Sequence, residues 1–82
     1  MSFVFNPDSA SAELALCCAS LIQGKPASEQ PLSVRRKLTA METAALVHYS
    51  ERGSWRLTQK GKDQREAVLA YGRRIVAERS RR

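Results

Sequence analysis

Along this 82-residue chain the spacing of apolar residues changes from a period near 3.6 to a period of 2 and back again. That switch confines the chain to a few helices around one small hairpin. Leu14, Cys17, Cys18, Leu21 and Ile22 fall at i, i+3, i+4, i+7 and i+8, one stripe of a helix. Val34, Leu38, Met41 and Ala45 form a second, narrower row at i, i+4, i+7 and i+11. Val47, Tyr49, Trp55 and Leu57 then alternate with His48, Ser50 and Arg56, the pattern of strands with one buried face. Val68, Tyr71, Ile75 and Val76, joined by Leu69 and Gly72, return to helical spacing in a stripe broader than one contact needs.

Breakers and capping residues set the boundaries. After an N-terminal segment over 1–7, Asp8 or Ser9 is expected to cap a first helix over 8–24, which Gly24 stops. Pro26 and Pro31 break the stretch 25–32 and leave room only for a single turn over Ala27 to Gln30. Ser33 is expected to cap a second long helix over 33–45. A hairpin over 46–58 follows, turning through Glu51-Arg52-Gly53-Ser54. Thr58 then caps a last helix over 59–80, with Asp63 and Glu66 near its start. Arg79, Arg81 and Arg82 lie near its end, and both groups complement the helix dipole. The fold class is mainly α with a small two-stranded β-hairpin (α+β), one domain over 1–82.

Composition narrows the function. Fourteen Lys and Arg oppose eight Asp and Glu, for a net charge of +6. The excess is concentrated: residues 1–32 hold Lys25 as their one cation, so the other thirteen sit after residue 32. A charge confined to part of a chain predicts a basic face and a polyanionic partner. One histidine, adjacent cysteines and no Gly-rich phosphate loop leave nothing for acid–base, metal or nucleotide chemistry, so no enzyme activity and no cofactor are expected. Cys17 and Cys18 share the apolar stripe, which predicts core thiols in a reducing compartment. Residues Met1 to Asp8 lack the basic start and long apolar core of a signal peptide, and no apolar run could span a bilayer. A cytoplasmic location is the expectation.

At 100° per residue, the side of the second long helix opposite its apolar row holds Arg36, Thr39, Ala40 and Thr43. Arg35 and Lys37 lie on its flanks. This face, small and polar at its centre with long cations around its first turns, suits the major groove of DNA. From Val34 to Gly61 the text resembles the winged helix-turn-helix family of bacterial and phage regulators. Val34-Arg35-Arg36-Lys37-Leu38 stands where that family has a valine and paired basic residues in its recognition helix. Met41-Glu42, Ala45-Leu46-Val47 and Trp55-Arg56-Leu57-Thr58-Gln59-Lys60-Gly61 fill the places that follow. The family usually has a full helix before the recognition helix, where this chain has only Pro26 to Pro31.

The resemblance implies a double-stranded DNA partner and a regulatory role. Arg36 is expected at a base edge, and Thr39, Ala40 and Thr43 beside it. Ser33, Arg35 and Lys37 are expected at phosphates, Arg52 at the minor groove or its backbone from the hairpin tip, and Arg56 and Lys60 at the backbone. Tyr49 and Trp55 are expected in the core and His48 in solvent. A homodimer through Val68, Tyr71, Ile75 and Val76 would double the contacts on a two-fold site. The competing expectation is a protein-interaction module on the same fold, binding a host regulator or polymerase. Membrane anchoring by the last helix is disfavoured, because Lys60, Lys62, Arg65, Arg73, Arg74 and Arg79 surround much of its circumference.

Overall fold

The computed structural model describes residues 3–80, and Met1, Ser2, Arg81 and Arg82 lie outside the described residues. The chain is mainly helical with a small two-stranded antiparallel sheet. Helix α1 spans Ala12–Ser20, a single 3-10 turn Ala27–Glu29, helix α2 Leu32–Thr43, strands β1 and β2 Val47–Tyr49 and Trp55–Leu57, and helix α3 Gln59–Ser80.

The first helix is shorter than its apolar spacing predicts. Asn6 turns the entering chain, its side-chain oxygen accepting from the Asp8 N–H and its carbonyl from the Ser9 N–H. Neither Asp8 nor Ser9 caps the helix. Ser11 holds the cap position without a side-chain bond. At the other end, long-range hydrogen bonds outcompete helix propagation. The Gln30 amide accepts from the Ile22 N–H at 2.8 Å and donates to the Ile22 and Lys25 carbonyls. The Gln23 side-chain oxygen accepts from the Leu57 N–H at 2.9 Å. Gly24 and Lys25 then pair with Trp55, so β2 has β1 on one edge and this segment on the other. Ile22 therefore leaves the stripe and is exposed.

Helix α2 begins one residue earlier than its spacing predicts. Pro31 occupies the cap position and Ser33 sits inside the first turn, so Ser33 is not the cap. Val34, Leu38 and Met41 are buried. Ala45, expected as the fourth member of that row, is instead exposed with φ +61°. The Leu46 N–H bonds the Met41 carbonyl and the Ala45 N–H bonds the Glu42 carbonyl. This is a Schellman C-terminus with alanine where glycine is usual, sealed by contact between buried Met41 and Leu46.

The hairpin pairs Val47 with Leu57, His48 with Arg56 and Tyr49 with Trp55. Its loop is one residue tighter than expected. Ser50 and Ser54 pair, the Gly53 N–H bonds the Ser50 carbonyl, and Gly53 takes φ +78°. The inward face is graded: Val47 and Leu57 are buried, Trp55 half-buried, and Tyr49 is 54% exposed. Tyr49 is thus not a core residue. It packs against Trp55 with the rings tilted, 4.9 Å between centroids, beside the turn of the hairpin.

Two apolar clusters meet on opposite sides of α1. Cys17, Cys18 and Leu21 face α2 and the hairpin, packing with Val34, Leu38, Met41, Leu46, Val47 and Leu57. Ala12 and Ala15 face α3, joined by Phe5, Ala67, Val68 and Tyr71. Phe5 meets Tyr71 edge-on at 5.2 Å. Helix α3 is locked at its start. The Thr58 hydroxyl donates to the Ala45 carbonyl and accepts from the Gly61 N–H. Gly61 lies so close to Leu46 that a Cβ there would overlap the Leu46 carbonyl oxygen. The threonine–x–x–glycine step thereby joins the hairpin, the end of α2 and the start of α3.

Candidate nucleic-acid interface

The core that buries one side of α2 turns the other side outward. Ser33, Arg36, Thr39, Ala40 and Thr43 are all exposed on that side. Leu32, in the first turn of the same face, is 52% exposed. Sequence reasoning missed Leu32, because the proline pair placed it in the connection. Its position opposite the apolar row is the signal that would have found it. The Thr43 hydroxyl donates to the Thr39 carbonyl at 2.9 Å, which holds its proton within the helix. No side chain caps the first turn of α2, so its leading N–H groups have no such partner.

The flanking cations differ in what holds them. Arg35 is exposed. Lys37 is half-buried and pairs with Glu13 of α1 at 3.3 Å, which offsets part of its charge on that side. Ser33, Arg36 and Lys37 share with Glu13, Leu16 and Cys17 a groove of about 280 Å³ between α1 and α2.

Outside α2 the expected contacts divide by location. Arg52 is exposed at the hairpin tip. Arg56 lies on the outward face of β2, its guanidinium close to Gly24. Lys60 is engaged within the chain, where its ammonium donates to the Ala44 carbonyl at 2.9 Å, a charge-assisted bond at the negative end of α2. His48 is exposed beside Arg56 across the ladder.

Behind the face the thiols are quiet. Burial pushes the Cys18 thiol up to about 11, with Cys17 alongside adding to the shift. Cys17 is also raised, first by burial and then by the Glu13 carboxylate, with Lys37 opposing. Both stay protonated at neutral pH and support α2 as small apolar groups. Among the described residues no three His, Cys, Asp or Glu side chains group as metal ligands, and no helix is long and apolar enough to cross a membrane.

Family models, curated proteins and solved structures return no match to this chain. The assignment of the face therefore rests on its own geometry and charge.

Proposed function

We propose that this chain is a small DNA-binding regulator of winged-helix type, with α2 in the major groove and the hairpin tip on the adjacent backbone or minor groove. The observation that carries the reading is the outward side of α2. Arg36 stands there among small and polar side chains, on a helix whose other side is fixed by Val34, Leu38 and Met41. B-DNA offers a groove about 12 Å wide, enough for one helix. A guanidinium on such a helix can pair bidentately with guanine. Thr43 and Leu32 present methyl groups that suit thymine.

Arg35 and the uncapped first turn suit phosphate, and Arg52 and Arg56 add charge from the hairpin. The order helix, turn, helix, hairpin, helix supports the winged-helix arrangement. Lys60 and Lys37 contribute less than their charge suggests, since each already has an internal partner.

Titration of a fluorescent random-sequence duplex across ionic strength tests the reading. Three to five neutralised phosphates give a slope of log K against log salt of about −2.7 to −4.5. A protein-interaction module would give at most low-salt binding that is gone at physiological ionic strength.

A further inference from the structure

Helix α3 runs for 22 residues, yet past Gln64 none of its side chains is fully buried. Tyr71 is turned inward onto Phe5, so it is not part of the outer face. What remains outside is an open groove of about 650 Å³, lined by Val68, Leu69, Gly72, Arg73, Val76 and Ala77. Val76 is 64% exposed. Gly72 sits at the middle of this face, where nothing lies within 4 Å of a Cβ built on it. Glycine is disfavoured inside a helix, and nothing within the protomer requires it there. A close approach by another backbone would.

We infer that this face pairs with the same face of a second copy, antiparallel about a two-fold axis near residues 70 and 71. One charge pair, repeated by the two-fold axis, argues for this partner and sets the direction. In that register Leu69 lies over Gly72 of the second copy, and Val76 over the aliphatic stem of its Arg65. Glu66 then meets Arg73 of the second copy, and the two-fold axis repeats the pair. Within one chain Glu66 and Arg73 are only loosely joined, at 4.0 Å and largely exposed, so both are free to turn outward. A parallel two-fold pair would put Glu66 and Arg73 of the second copy on opposite flanks of the contact, where they do not meet. The contact runs from about Arg65 to Val76, roughly 17 Å of helix. That buries less than the roughly 1,200 Å² of a standard interface and makes a weak, concentration-dependent dimer. The surface is separate from the outward side of α2, so its failure would leave the DNA reading intact.

Sedimentation equilibrium of the full chain from about 5 to 500 µM spans the expected dissociation constant of tens of micromolar. The wild type is expected to pass from monomer to dimer over that range. Val76→Glu and Leu69→Glu each weaken association at least about tenfold with unchanged helix content by circular dichroism. Glu66→Arg weakens it severalfold, and adding Arg73→Glu to that variant restores it. A wild type that stays monomeric throughout overturns the proposal, as does association indifferent to Val76→Glu. Association unchanged by Glu66→Arg overturns the antiparallel register.

Discussion

Helices α2 and α3 are both amphipathic and both rich in cations, yet they present opposite surfaces. The 12-residue α2 buries Val34, Leu38 and Met41 and shows solvent a polar face around Arg36. The 22-residue α3 fully buries only Gly61 and Gln64 and shows solvent Leu69 and Val76. Cation count therefore does not tell which helix would suit a polyanion. What tells is the side of the helix that the core leaves free: cationic and polar on α2, apolar between charges on α3.

The sharpest way to break this contrast is at the joint between the two helices. Gly61→Ala puts a Cβ onto the Leu46 carbonyl oxygen and against Leu57. Backbone cannot yield as a side-chain tip can, so a loss of about 3 kcal/mol or more is expected in urea unfolding. For a domain this small that is a large fraction of the total stability. An ordinary surface-sized loss would mean that α3 is not seated on the end of α2.

An intermediate effect comes from the thiols that support α2. Burial raises Cys18 from its ordinary 9.0 to about 11 and raises Cys17 in the same direction. The unfolded thiols ionise first as pH rises, so the folded state then holds more protons. The thiol contribution to stability is thus complete below pH 9 and is lost between pH 9 and about 11. Cys18→Ala lowers stability at neutral pH by leaving a small cavity, but it flattens this alkaline decline. A decline of unchanged steepness in Cys18→Ala would assign it to other groups.

The smallest expected effects run in opposite chemical directions at the ends of the comparison. Ala45→Gly relieves the left-handed backbone that closes α2, and Gly72→Ala removes a glycine from the exposed middle of α3. Each is expected to raise stability by about 1 kcal/mol in dilute protein, where α3 is unpaired. Thermal melts at low micromolar concentration check both. Destabilisation by Ala45→Gly would show that the αL cap is not strained.

Where local chemistry decides the structure, the sequence was readable. The burial of Val34, Leu38 and Met41 on α2, the inward phase of Val47 and Leu57, and the Thr58 cap all follow from local spacing. The register of the hairpin did not, because Ser50 and Ser54 pair and tighten the loop by one residue. Where distant side chains decide, it was not. Gln23 and Gln30 end α1 by bonding backbone groups far along the chain, and an amide that does so leaves no periodic trace. Ala45 gave no cap signal, because an αL C-terminus normally announces itself with glycine or asparagine. Ala12, Ala15 and Phe5 were overlooked as core, since small residues and an aromatic ahead of the helix carry little moment of their own. For the candidate interface, residue spacing identified the outward face of α2 but not the exposed Leu32. It also could not foresee that Lys60 and Lys37 bond within the chain.

Whether α2 reads DNA is decided by selection from a random-sequence duplex library, with wild type and Arg36→Ala in parallel at two salt concentrations. A short enriched motif is expected for the wild type, and its loss in Arg36→Ala. Affinity for the wild-type motif should fall by about 10- to 100-fold, with Arg36→Ala still folded. Enrichment of the same motif by both proteins, or no retention of duplex at either salt, would contradict a reading helix at α2.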